Sequence, residues 1–272
     1  MSEVKSDSVE DVVKHFGEVN TPAHLRKEML DQIPDSFWES PKRVFEPCCG
    51  KGGFVLDVIE RFMAHLCLDQ ISDEAEKYQF IVAKCITFAD LNEDNVAFTK
   101  NLISDGQPET SLTVPKLTFR SYTGDALEIK CEFAHQQFDA VITNPPFQTT
   151  VQGVRKGGYG NKTLWDKFVL KILDNWLKPG GLLLCIHPSN WRKPMHELWP
   201  VLTSKRMIVL SIHDEKDGKA TFQCSTRYDW YMLENTDREN ADTTDEPTTV
   251  RDETGEVHLV HLSSFPFLSL IH

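Results

Sequence analysis

Short apolar runs that close on an acidic or amide side chain recur along this chain. Between them lie segments in which apolar residues return every three or four positions. Residues 43–45, 86–89, 117–122, 138–143 and 182–187 have the length and continuity of buried strands, with 207–212 and 228–233 as later ones. An amphipathic helix is predicted over 8–33, interrupted by Gly17-Glu18-Val19-Asn20-Thr21-Pro22 and restarted at Pro22, with Thr21 as its N-cap. Further helices are predicted after Phe54 to about Ala64, over 65–84 with a polar break at 70–76, from about Asp94 to Ser104, and over 164–177. The last meets Lys178-Pro179-Gly180-Gly181, a strong stop signal. Strands alternating with helices predict an α/β fold, a doubly wound and mainly parallel sheet covered on both faces.

In such sheets ligands lie beyond the carboxyl ends of the strands. Glu46, Asp90, Asp125 and Asn144 all fall at such ends, on four successive strands. The first strand runs into Gly50-Lys51-Gly52-Gly53, where small residues let backbone pass close to a ligand ahead of a helix N-terminus. That turn has neither the Gly-x-Gly-x-x-Gly spacing of dinucleotide folds nor the Gly-Lys-Ser/Thr of a P-loop. A carboxylate at Asp90 suits two ribose hydroxyls, and one at Asp125 suits the amino edge of an adenine. Each acid by itself reads equally as a helix cap or a solvated loop group; together with the glycine turn they favour a nucleoside.

Asn144-Pro145-Pro146-Phe147 follows the fourth strand and can hold a planar aromatic amine. The Asn amide oxygen and a backbone carbonyl both accept from one NH2 group. The prolines fix φ and lack N–H donors, so the turn is stiff and its carbonyls are free. Phe147 adds a flat face for stacking. The plain alternative is a Pro-Pro turn that merely closes a strand.

Composition narrows the classes. With 272 residues, 40% of them hydrophobic, the chain holds one large domain and excludes global disorder. No apolar stretch reaches the ~20 residues of a bilayer span, and the first residues carry no signal-like apolar segment. The seven cysteines are scattered without Cys-x-x-Cys spacing, as expected for reduced thiols in a cytoplasmic protein, and no metal site is expected. A net charge of −12 argues against a simple nucleic-acid-binding surface, yet 151–171 carries five Lys or Arg against Asp166 alone. Acidic residues concentrate in 235–256 instead. Residues 1–235 are therefore read as a catalytic domain with an N-terminal helical segment, and 236–272 as an acidic linker with a short strand-like end at 257–267.

The segments 17–22, Glu46-Pro47-Cys48-Cys49-Gly50-Lys51-Gly52-Gly53-Phe54 and Asn144-Pro145-Pro146-Phe147 resemble motifs X, I and IV of the adenine-specific (N6) DNA methyltransferases. The motif order is that of the gamma-type enzymes and of restriction–modification methylases. The similarity runs over roughly 12–235 and continues through Asp90, Asp125, Leu164-Trp165 with 178–181, 183–192 and 225–231. It implies a seven-stranded, Rossmann-like class I S-adenosylmethionine-dependent methyltransferase fold. Thr21 would then contact the methionine end of the cofactor, Glu46 and Gly50 would line its amino-acid part, Asp90 would hold its ribose and Asp125 its adenine, with Cys48, Leu91 and Ala126 also among the cofactor-binding residues. Asn144 with Pro145 and Pro146 would hold the target amine beside the cofactor, Phe147 would stack on the base, and Tyr228 or Trp230 would lie against its other face. Lys51 and Asn20 depart from the family's usual small and apolar residues without removing a named contact.

The implied reaction is direct methyl transfer to an adenine swung out of DNA, with no metal or covalent intermediate. The 148–163 segment, with Arg155, Lys156 and Lys162 among four glycines, reads either as a loop that closes over that nucleotide and meets phosphates or as an ordinary long solvated loop. His187 to Arg192 also follows a strand and is expected to border the site. Two other classes stay open: an RNA adenine methyltransferase, and a cofactor-binding subunit without turnover. A specificity subunit is a further expected partner. A dehydrogenase is disfavoured by the ~40 residues between the glycine turn and Asp90, against ~20 in a plain dinucleotide fold. A cytosine ring-carbon enzyme is rejected because Pro47-Cys48 sits in the cofactor turn.

Overall fold

A computed structural model describes residues 20–110, 116–129, 138–147, 163–237 and 246–261. The described elements are, in chain order, α1 (Ala23–Leu30), α2 (Asp35–Trp38), β1 (Val44–Glu46), α3 (Gly53–His65), α4 (Glu74–Phe80), β2 (Ile86–Asp90), α5 (Glu93–Asp105) and β3 (Ser121–Thr123). After them come β4 (Phe138–Thr143), α6 (Trp165–Lys171), β5 (Leu177–Pro188), α7 (Leu198–Ser204), β6 (Lys205–His213), α8 (Glu215–Phe222), β7 (Tyr228–Asp237), β8 (Thr248–Arg251) and β9 (Val257–Val260).

The strands form one sheet in the order β3-β2-β1-β4-β5-β7-β6-β8-β9. From β3 to β5 every neighbour is parallel, and β7 runs antiparallel between β5 and β6. The order reverses between β1 and β4: the chain winds outward through β2 and β3, then returns to lay β4 against β1. A crevice opens at the carboxyl ends of those two strands, because the connections leave in opposite directions.

Alternation along the strands divides the core into two layers. Val44, Ala140, Ile142, Leu184, Ile186, Trp230 and Met232 face the layer built by α1, α3, α4 and α5. Phe45, Val141, Leu183, Cys185, Tyr231 and Leu233 face the opposite layer, with Trp165, Phe168 and Trp176. Both faces of the parallel strands are buried, which is why they read in sequence as continuous apolar runs rather than as alternation.

Three departures from the sequence reading have physical causes. The segment 164–177 is not one α-helix: α6 ends at Lys171, Ile172–Trp176 winds as a π turn, and β5 begins at Leu177. The Lys-Pro-Gly-Gly stop is a bulge inside the strand, since pairing jumps from Phe138–Leu177 to Ala140–Leu182 with Gly180 at φ 74°. A second π turn, Ile81–Cys85, leads straight into β2 in the same way. Among the described residues the sheet has nine strands where seven are expected. Residues 248–251, read as part of a linker, pair parallel to β6, and β9 pairs back on them. Thr248, fully buried, donates to the Met207 carbonyl at 2.7 Å, and this fixes β8 against β6. Helices α7 and α8 are additions that no expectation covered.

Candidate active site

The crevice at the β1–β4 reversal holds a cavity of about 140 Å³. Its floor is the end of β1. Glu46 is 4% exposed, and its Oε1 accepts from the Cys48 N–H at 3.0 Å and from the Thr143 hydroxyl at 2.8 Å. Thr143 is the last residue of β4, so that second bond ties together the two strands that diverge. Burial pushes the Glu46 carboxyl up to about 8; the Cys48 and Thr143 bonds pull it back, and the Asp90 charge raises it further. Both bonds fall on Oε1, which leaves Oε2 as the carboxyl atom available to a ligand. Cys48 lines the same floor, and burial raises its thiol far above the usual range, so it is no nucleophile at neutral pH.

One wall is the glycine turn. Gly50 and Gly52 have φ of 49° and 78°. A Cβ at Gly52 would come within 2.9 Å of Thr99, and one at Gly53 within 2.8 Å of the Arg26 guanidinium. The turn is therefore pressed against α5 on one side and α1 on the other, with no room for a side chain. Asp90 organises it from β2: Oδ2 accepts from the Gly50 N–H at 2.8 Å, Oδ1 from the Asn92 N–H at 2.8 Å and the Asn95 amide at 3.2 Å. A carboxylate offers about four acceptor positions. Asp90 thus shapes the turn and still presents oxygen to the cavity it lines. Leu91, 62% exposed, stands at the mouth as an apolar flank. Asp125 lies exposed at the far rim, where Oδ1 caps the short 3₁₀ turn Ala126–Glu128 through the Leu127 N–H at 2.9 Å.

The other wall is the Pro-Pro turn. The Asn144 Nδ2 donates to the Thr21 Oγ1 at 3.0 Å across 123 residues of sequence. That bond orients the amide so that its donor side faces Thr21 and its oxygen faces elsewhere. It also replaces an expectation. Thr21 does not cap α1; Pro22 occupies the N-cap position without a side-chain cap bond, and the buried Thr21 hydroxyl serves Asn144 instead. Pro145, Pro146 and Phe147 line the cavity beside Leu164 and Phe168.

Several sequence-derived residues fall elsewhere. Trp230 is fully buried in the α1–α3 core layer, and Tyr228 is 1% exposed with its ring stacked on His213 at 4.4 Å. Neither reaches the cavity wall. Phe222, from α8, stands between: its ring meets Phe147 edge-on at 6.4 Å and Tyr228 edge-on at 4.9 Å. Lys162 and nearly all of the 148–163 segment lie outside the described residues, as do residues 1–19. His187 does not border the cavity. It is buried behind it, stacked on Trp165 at 4.4 Å and bonded through Nε2 to the Tyr231 hydroxyl at 3.1 Å. Burial holds its imidazole down to about 4, so it stays neutral. The Trp191 indole and Arg192 guanidinium both donate to buried Asp229, at 2.8 and 2.9 Å, and anchor the loop after β5.

Sequence reasoning missed Arg26, Thr143, Asn95 and Phe222. Only Thr143 carried a readable signal, being a hydroxyl at the last position of an otherwise apolar strand. The six cysteines among the described residues are free, and no helix there is long and apolar enough to cross a membrane.

The strand order and the crevice at its reversal define the class I S-adenosylmethionine-dependent methyltransferase fold. The family model of the Eco57I restriction-modification methylases matches residues 63–217, and the chain belongs to that family. A protein of Mycoplasma pneumoniae described as an uncharacterized adenine-specific methylase is 31% identical over 102 residues, covering 34% of this chain and 23% of that protein. Among solved structures, the M protein of the type I restriction enzyme EcoKI superposes with a TM-score of 0.60 at 15% identity, over 87% of this chain and 48% of its own. A modification subunit of a putative type I restriction enzyme from Vibrio vulnificus gives 0.56 at 15% identity, over 81% and 45%. The DrdV–DNA complex gives 0.59 at 12% identity, over 89% of this chain and 28% of that one. The chain thus spans about half, or less, of the length of each of these four proteins.

Proposed function

We propose that this chain transfers a methyl group from S-adenosylmethionine to the exocyclic amine of an adenine extruded from DNA. The observation that carries the reading is the Asn144 amide, set by Thr21 at the end of β4, on the wall of a cavity whose opposite wall is the glycine turn. The residues fit the cofactor: a cradle without room for a Cβ, a carboxyl oxygen on Glu46 for an ammonium, acceptors on Asp90, and an apolar flank at Leu91. Thr21, Glu46, Cys48 and Gly50 would hold its amino-acid part, Asp90 and Leu91 its ribose, Asp125 and Ala126 its adenine. That group supplies an electrophilic methyl on a sulfonium.

The chain's own residues do the rest. An adenine amine is a poor nucleophile because its lone pair is shared with the ring. The Asn144 oxygen and the Pro145 carbonyl accept its two hydrogens from outside the ring plane, and this draws the nitrogen toward tetrahedral geometry and localises the pair. Pro146 holds that corner stiff. Phe147, backed by Phe222, offers a face to the extruded ring. Positioning of this kind supplies roughly 7–11 kcal/mol of barrier reduction. Residues 1–235 carry this machinery, Lys162 and its basic neighbours meet DNA phosphates, and the longer relatives support a specificity partner for this chain.

The experiment is to incubate the protein with duplex DNA, or with RNA, and labelled S-adenosylmethionine, then to digest and look for N6-methyladenine by mass spectrometry. Label in DNA is expected; label in RNA alone overturns the substrate. Asn144→Ala is expected to lower the rate by roughly a hundredfold or more while cofactor affinity changes little. Asp90→Ala is expected to weaken cofactor binding first. Equal activity of Asn144→Ala and wild type would remove the proposed role.

A further inference from the structure

Arg26 is a charged side chain on the cavity wall that no motif accounts for. It rises from the first turn of α1 and is 14% exposed. Nε and NH2 donate to the two Asp57 oxygens, at 2.6 and 3.4 Å, and NH1 donates to the Thr21 carbonyl at 2.7 Å. A guanidinium carries five N–H groups. Three are used, and one on each terminal nitrogen remains. The group lies directly on the Cα of Gly53, the first residue of α3, where a methyl would come within 2.8 Å of the guanidinium carbon. Gly53 opens α3 and lines the cavity, and a helix start favours negative charge.

The cavity is therefore polarised. At one end stand a fixed cation, a helix start and the Thr21 backbone; at the floor stands the Glu46 carboxyl with one oxygen uncommitted. An α-amino acid carries a carboxylate and an ammonium two bonds apart, and this wall is complementary to both. Asp57, 27% exposed, holds the guanidinium in place, and a guanidinium is a permanent cation in proteins.

We propose that Arg26 binds the carboxylate of the cofactor's amino-acid end, and so selects a nucleoside that carries an amino acid over one that does not. This rests on the cofactor reading given above. The test compares two probes by calorimetry: S-adenosylhomocysteine, which has the amino-acid end, and 5′-methylthioadenosine, which lacks it. In wild type the first is expected to bind the more tightly. Arg26→Met is expected to weaken S-adenosylhomocysteine by roughly tenfold or more, the value of a charged hydrogen-bonded contact, and to leave 5′-methylthioadenosine within about twofold. Arg26→Lys keeps a cation without the fork and should fall between.

Equal weakening of both probes in Arg26→Met makes Arg26 only a clamp on Asp57 and overturns the proposal. Unchanged binding of S-adenosylhomocysteine overturns it too. Should Arg26→Met fail to fold, the same ratio read on Arg26→Lys and Arg26→Gln decides. Wild-type protein that binds neither probe sinks the cofactor reading and this assignment with it, an outcome distinct from equal loss in the variants.

Discussion

Glu46 is a carboxyl that folding removes almost wholly from water, and it stays there because two donors meet one of its oxygens. Its folded value near 8 lies above the ordinary 4.5, so the native state binds a proton that the unfolded chain releases. Stability from this group is full below about 4.5 and is lost as pH rises through about 8. Glu46→Gln, always neutral, removes the dependence. Denaturant unfolding between these limits is therefore expected to show wild type losing stability against Glu46→Gln by a few kcal/mol as pH climbs. Parallel curves for the two proteins would mean that the carboxyl is ionised in the fold. A cation docking on the free Oε2 reverses the balance, so S-adenosylhomocysteine is expected to release up to roughly one proton at neutral pH. Calorimetry in buffers of differing ionisation enthalpy reads that number. The acid itself was legible in the sequence as a strand end. Its protonation was not, because that follows from burial in the folded chain, which outweighs the opposing bond from Thr143, 97 residues away.

At the scale of elements, the glycine turn is pinned between two helices rather than merely flexible. Gly52 combines a φ of 78° with a Cβ position 2.9 Å from Thr99, itself fully buried. Gly52→Ala is expected to cost about 1–2 kcal/mol for the left-handed backbone, and more for the clash. Adding Thr99→Ala should relieve the contact but not the backbone, so the double variant is less destabilised than the two singles summed. Strict additivity in urea unfolding would contradict this packing. The strands were readable because both faces of a parallel sheet are buried and leave unbroken apolar runs. Their junctions with helices were not. Leu177 looks like a helix residue by spacing, yet Asn235 donates to the carbonyls of Leu173, Leu177 and Lys178 at 3.3, 3.4 and 3.4 Å, and so joins the π turn to the strand. Tyr228 and Trp230 misled for a related reason: alternation on β7 sends Trp230 into the layer under α1 and α3, away from the cavity. The acidic, Thr-rich composition of 236–256 hid β8, which is held by Thr248 bonding to β6 and by a single core residue, Val250.

For the whole molecule the governing quantity is charge. At −12 the chain repels a polyanion at long range, and many of its cations are already engaged. Arg206 is bonded to Glu234 and Glu246, Arg251 to Glu28, Lys178 to Asp139 at 2.8 Å, and Lys205 to Asp237 at 2.8 Å. On the proposed DNA reading, phosphate contacts fall to cations outside these pairs, and the sequence places three of them, Arg155, Lys156 and Lys162, just after the Pro-Pro turn. Each neutralised phosphate steepens the dependence of log affinity on log salt by about 0.9 for duplex DNA. Replacing all three residues by Ser is expected to flatten that slope by roughly 2–3, as read by fluorescence anisotropy of a labelled duplex across a salt series. Cofactor affinity should be unchanged, because the cofactor is assigned to Thr21, Glu46, Cys48, Gly50, Asp90, Leu91, Asp125 and Ala126. An unaltered slope would place the DNA-facing charge elsewhere on the chain or on a partner.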